Sequence, residues 1–89
     1  MDLKEFKEKY ENKLKEFGYE FDGAGEHGDW IQINYINKEK NTLITFGVDK
    51  KSNDAFANLL IFEGKEIKTE HNFPKLNELF KFLEKHRND

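Results

Sequence analysis

Side chains that could do chemistry are few in this chain, and the most suggestive spacing lies in a glycine-rich stretch. Residues 23–28 match the pattern G-x-G-x-x-G, which receives a pyrophosphate in dinucleotide-binding proteins. That chemistry needs a strand before the glycines and a helix N-terminus after them, because the helix end binds the phosphate. Here the residues that follow alternate as a strand does, so we interpret residues 23–28 as a loop that binds no cofactor.

Metal binding and nucleophilic catalysis have no better support. His27 stands between Glu26 and Asp29, but no histidine pair has the i, i+4 spacing of a metal-binding helix. Ser52 is the only serine, and it lies in a polar turn with no histidine close to it in sequence. We therefore predict no metal, no catalytic residue and no enzymatic activity.

Composition narrows the class of protein further. Eighty-nine residues with 36% hydrophobic and 15% aromatic content suit a single domain, residues 1–89, with one core. The lack of cysteine excludes disulfides and thiolate chemistry and favours a cytoplasmic location, as do the polar first residues. A net charge of −3 disfavours nucleic-acid binding through a broad basic surface, and no apolar run of about 18 residues predicts a membrane span.

Apolar residues spaced three and four apart predict a helix near each end of the chain. Residues 2–17 carry one narrow apolar stripe, with Asp2 as the N-cap and Gly18 as the stop. A second stripe begins near Pro74 and continues to Lys85. The first helix is otherwise almost entirely charged or amide residues, so we expect it to lie on the surface and bury one stripe.

Alternating residues between the helices predict an antiparallel meander. The main strands are residues 29–37, 42–49 and 55–63, with a fourth strand at 66–71 and a short candidate at 19–21. The fold class is therefore α+β: an N-terminal helix, a meander of three to four strands and a C-terminal helix, with both helices on one sheet face.

Loop lengths suggest the strand register. Centring the first connection pairs Tyr35 with Ile44, and the apolar residues on either side then align on one face. In the second hairpin we place Phe46 opposite Leu59. Gly64 suits the first position of a two-residue turn into the fourth strand.

The two faces of this sheet differ, and the sequence places function on the second. The first face is almost purely apolar, and we expect it to lie beneath the helices; its members are Ile31, Ile33, Tyr35, Ile44, Phe46, Val48, Ala57, Leu59 and Ile61. The second face has a polar centre and an apolar rim, and comprises Trp30, Gln32, Asn34, Ile36, Leu43, Thr45, Gly47, Phe56, Asn58, Leu60, Phe62 and, at its margin, Ile67. As partner-binding residues we select Trp30, Phe56, Leu60 and Phe62 for apolar contact, with Gln32, Asn34 and Asn58 for polar specificity.

The sequence leaves three possibilities for what covers the second face: a helix or loop of the same chain, a second copy of the chain, or a different partner. We hypothesise a small non-enzymatic protein-binding module, such as an inhibitor or immunity factor of the type that phages and mobile elements encode. The alternatives are single-stranded nucleic-acid binding by stacking on the sheet aromatics, and an obligate homodimer.

The order of helix, strands and helix resembles the double-stranded RNA-binding domain in topology. That family has a basic cluster at the start of its last helix, where it contacts phosphates. The matching residues here, 74–78, contain one Lys and one Glu. The resemblance therefore covers topology and does not extend to RNA binding.

Overall fold

Two helices flank a five-stranded antiparallel sheet whose strands are neighbours in chain order. The structure, a computed structural model, describes residues 1–88. Its elements are α1 (Leu3–Glu16), β1 (Glu20–His27), β2 (Trp30–Asn37), β3 (Thr42–Asp49), β4 (Ala55–Glu63), β5 (Glu66–Phe73) and α2 (Leu76–Lys85). The α+β prediction is confirmed, with five strands in place of three to four. No helix in residues 1–88 is long and apolar enough to cross a membrane.

Local signals define the ends of both helices. Asp2 is the N-cap of α1, and its carboxylate accepts a hydrogen bond from the Glu5 N–H at 2.8 Å. Gly18 ends this helix with a φ of +93°, a left-handed conformation that suits glycine. The second helix begins at Leu76, two residues after the predicted start at Pro74, because Lys75 has extended backbone and acts as the N-cap.

The first predicted hairpin register is confirmed, and the second is wrong by two residues. Tyr35 lies opposite Ile44 as expected. In the next hairpin Ile44, not Phe46, lies opposite Leu59. The β3–β4 loop is tighter than predicted, because the Asp49 N–H donates to the Asp54 carbonyl at 3.0 Å. A shift of two residues preserves the alternation of side chains, so both predicted faces survive.

The glycine-rich stretch is part of a strand, so its interpretation as a loop is wrong. Residues 23–27 pair with β2 and extend the short strand predicted at residues 19–21. A bulge at Asp22 shifts the pairing between Phe21 and Gly23, and Gly28 takes a φ of +63° in the two-residue turn into β2. This added edge strand, together with β5, distinguishes the sheet from the three-stranded order of the resembled RNA-binding domain.

Both helices pack on the first face of the sheet, as predicted. The ring of Phe6 on α1 lies 4.8 Å from that of Phe46, while Leu79 and Leu83 of α2 join the same buried cluster. The helices also touch each other, since the rings of Tyr10 and Phe80 stack at 5.7 Å. Ile61 is only partly buried among the first-face residues. With both helices on one side, the opposite side of the sheet has neither helix against it.

Candidate functional site

The candidate site is the sheet surface opposite the helices, which we call the open face. Strand pairing places all seven selected partner-binding residues on it. Three large apolar side chains there are exposed: Trp30 by 39%, Phe56 by 41% and Ile67 by 55%. No helix or loop in residues 1–88 covers these three side chains. Of the three occupants left open by the sequence, a covering segment of the described chain is therefore excluded.

One end of the open face carries an aromatic pair. The rings of Trp30 on β2 and Phe56 on β4 lie 5.6 Å apart, although β3 runs between their strands. Gly47 on β3 makes this possible, because it lies between Gln32 and Phe56 and offers no side chain. A Cβ built on Gly47 would overlap the Phe56 ring and lie 2.9 Å from its Cε2. Glycine inside a strand often marks such a close approach, and here it lets the Phe56 ring lie across β3 toward Trp30.

A row of uncharged polar residues crosses the middle of the open face. Asn34 lies opposite Thr45, Thr45 opposite Asn58, and Asn58 opposite Asn72. We call these four residues the amide row. No side-chain hydrogen bond joins Thr45, Asn58 or Asn72 to another of residues 1–88, whereas Asn34 accepts one long bond from Gln32 at 3.5 Å. Each amide can both donate and accept, so the row offers unused hydrogen-bonding capacity to a partner.

The other end of the open face is an aliphatic and aromatic cluster: Ile36, Leu43, Leu60, Phe62 and Ile67. Phe62 is held in position by Asn41, whose carbonyl accepts from the Phe62 N–H at 3.0 Å. The Asn41 side-chain amide donates to the Phe62 carbonyl at 2.9 Å. Asn41 has a φ of +54°, which asparagine tolerates better than most residues. The open face therefore has two apolar ends separated by a neutral polar row.

Positive charge is nearly absent from the open face. At the positions that pair across the five strands on this face, no Lys or Arg occurs. Two lysines follow β3 near the aromatic end, but their ammonium groups lie beside carboxylates: Lys50 is 3.1 Å from Glu26 and Lys51 is 3.6 Å from Asp29. A surface that binds a nucleic-acid backbone needs cations beside its stacking aromatics, and these lysines already have acidic neighbours.

No hydrogen bond within residues 1–88 joins His27 to Ser52, the residues first considered for chemistry. His27 ends β1, whereas the Ser52 hydroxyl accepts a hydrogen bond from the Asp54 N–H at 3.1 Å in the β3–β4 loop. No group of three or more potential metal ligands occurs within residues 1–88. The glycines of residues 23–28 precede a strand and not a helix, so the phosphate-binding geometry of the fingerprint is missing.

Shifted pKa values occur on the helix side of the sheet and have structural causes. Burial, followed by its hydrogen bond to Glu11, raises the pKa of Tyr35; its hydroxyl donates to the Glu11 carboxylate at 2.7 Å. The same bond is the main cause of a lowered pKa at Glu11. Burial raises the pKa of Tyr19 to about 12. All three groups support the packing of α1 and the β2–β3 hairpin, and none lies on the open face.

Sequence reasoning selected residues at both ends of the open face but missed two contributors. Gly47 was assigned to this face without a role, although a glycine inside a strand signals a close approach. Asn72 lies beyond the predicted end of the fourth strand at residue 71, and β5 extends to Phe73. Without Asn72 the amide row has no member on β5.

Comparison of the chain with protein-family models, with curated proteins and with solved structures finds no match. The function must therefore be inferred from the geometry of the open face.

Proposed function

We propose that this protein acts without catalysis, by binding another protein through its open face. The exposed Trp30–Phe56 pair carries the proposal, because the fold holds two large apolar rings together in solvent. Monomeric proteins usually bury such rings or scatter them singly, and clustered exposed aromatics are typical of interaction sites. Gly47 supports the same interpretation, since it allows the pair to form across a strand.

The rest of the open face has the composition of a protein interface. Two apolar ends supply area that a partner can remove from water, and the amide row supplies hydrogen-bonding groups that fix its orientation. The absence of Lys and Arg at the paired strand positions favours a protein partner over single-stranded nucleic acid. Inhibitors and immunity factors are small non-catalytic binding proteins, and we propose that the protein belongs to this functional class.

The test is affinity capture with two matched alanine variants. Phe21 provides the control, because its 37% exposure is close to that of Trp30 but it packs edge-on against Tyr35 on the helix side. We expect Trp30→Ala to weaken capture of a partner from the native host by about fivefold or more, since an aromatic hot spot contributes over about 1 kcal/mol. Phe21→Ala should leave capture unchanged. Circular dichroism confirms that both variants fold.

Equal capture by folded Trp30→Ala would show that the open face is not the interface. A salt titration then separates the classes of partner. Binding of single-stranded oligonucleotides that falls steeply with salt would contradict a protein partner, because phosphate contacts release counterions.

A further inference from the structure

We infer that one occupant of the open face is a second copy of this chain, packed sheet against sheet around a twofold axis. The inference rests on the proposed function, because it names a partner for the same surface. A target protein that uses the open face would have to compete with the second copy.

The shape of the open face favours a flat partner. Two cavities lie on the helix side, and one of them, of about 620 Å³, lies between the C-terminal ends of the two helices. Another, of about 750 Å³, lies between α1 and β1. The open face itself presents five paired strands. A cavity of about 470 Å³ that Trp30 and Phe56 help to line lies at its aromatic end, beside the β3–β4 loop and the start of α2. A second sheet matches such a surface, and face-to-face packing of sheets is a common arrangement in β-sandwiches.

The area of the open face suits a small but specific dimer. Five strands spaced by about 4.8 Å and roughly 26 Å long give about 600 Å² per copy, or about 1,200 Å² for the pair. Specific interfaces begin near about 1,200 Å² in total, so the dimer requires essentially the whole face. A partner with a smaller contact would leave one of the two apolar ends in water.

The middle of the open face is where two copies can meet, because the carboxylates that share this face, Glu20, Asp49 and Glu70, lie on its edge strands or at a strand end. The chain carries a net charge of −3, and the exposed side of α1 is rich in Lys and Glu. The amide row is uncharged, and each of its side chains can donate to and accept from the same residue of a second copy. Two copies can therefore approach through this row without placing like charges in contact.

A twofold axis along the amide row brings part of each apolar end against the other, while Trp30 comes opposite Lys38 of the second copy and Phe62 comes opposite Asp54. Rotation by 180° about this row places Phe56 of one copy over Leu60 of the second copy. Gly47 then lies over Leu43 of the second copy, and both pairings bury apolar surface on each side of the row. On this axis Asn58 lies opposite Asn58 of the second copy. A charge introduced at position 58 would therefore face the same charge in the second copy.

Sedimentation equilibrium with charge variants tests the inference. Over about 1 to 200 µM we expect the wild-type mass to rise toward twice the chain's 10.6 kDa. Asn58→Lys and Asn58→Glu should each weaken the dimer by at least about tenfold, because like charges would meet at the axis. An equimolar mixture of the two variants should restore it. Asn12→Lys, at an exposed position on α1, is the matched control and should remain dimeric.

Asn72 provides a second pair of variants in the same row, at an exposed edge position where a charge should not impair folding. Wild-type protein that stays at 10.6 kDa throughout the range would overturn the dimer but not the proposed function, because capture by Trp30 does not depend on self-association. If charge variants at Asn58 and Asn72 fold and dimerise as the wild type does, the dimer interface does not lie on the open face.

Discussion

Gly47 offers the sharpest test of the geometry of the open face, because the effect of adding a methyl group there should depend on Phe56. Gly47 has no positive φ, so alanine fits the backbone and should stabilise the fold by about 0.4 to 1 kcal/mol through lower chain entropy. The new Cβ would overlap the Phe56 ring, however, and the ring would have to move away from Trp30. The lost aromatic pair costs about 0.5 to 1.5 kcal/mol.

In the wild-type background, the net effect of Gly47→Ala on the free energy of unfolding should therefore lie between about 0.5 kcal/mol of stabilisation and about 1 kcal/mol of destabilisation. In a Phe56→Ala background the ring is absent, and the same substitution should stabilise by about 0.5 kcal/mol. The coupling between the two positions is then about 1 kcal/mol, which a double-mutant cycle can resolve.

Urea unfolding followed by the fluorescence of Trp30, the single tryptophan, and by circular dichroism measures this cycle. Gly25→Ala is the matched control on the same face, since its added Cβ would meet nothing closer than 3.8 Å. It should have the same effect in both backgrounds. If Gly47→Ala stabilises equally with and without Phe56, the ring does not lie over the glycine and the account of the aromatic pair is refuted.

Two further predictions concern the helix side. Tyr35→Phe should destabilise the fold by about 1 to 2 kcal/mol at pH 7, because it removes a hydrogen bond to the charged Glu11 carboxylate. The folded-state pKa of Glu11 lies below the ordinary 4.5, so this contribution is present above pH 4.5 and is lost as the pH falls through the lowered value. The urea midpoints of Tyr35→Phe and the wild type should therefore converge in acid. A difference between them that stays constant with pH would contradict the role of this bond. Asp2→Ala should lower stability by about 1 kcal/mol, because the Glu5 N–H loses the side chain that caps it, whereas Asp2→Asn should keep most of the stability that the cap provides. Equal thermal midpoints for the wild type and both variants would show that the cap does not contribute.

The extent of β1 could not be predicted from the side-chain pattern. Residues 23–27 combine two glycines with exposed positions on both sides, so they show no alternation for the sequence to reveal. They form a strand because their backbone groups pair with β2, and this pairing depends on the tertiary position of β2. The register of the second hairpin was missed for a similar reason. Hydrogen bonds within the β3–β4 loop shorten it, and several loop lengths suit a run of polar residues.

The sequence by itself determined which side chains share a face. Strand alternation has a period of two, so Trp30, Asn58 and Phe62 remain on one side even when a hairpin shifts by two residues. The apolar stripes of the helices and the Asp2 cap also depend only on residues close in sequence, so they could be predicted from the sequence as well. Only the tertiary structure decided that the second face is open, because exposure depends on where both helices pack. It also joined Trp30 and Phe56 across Gly47 and aligned the amide row, since these contacts require the register of four strands at once.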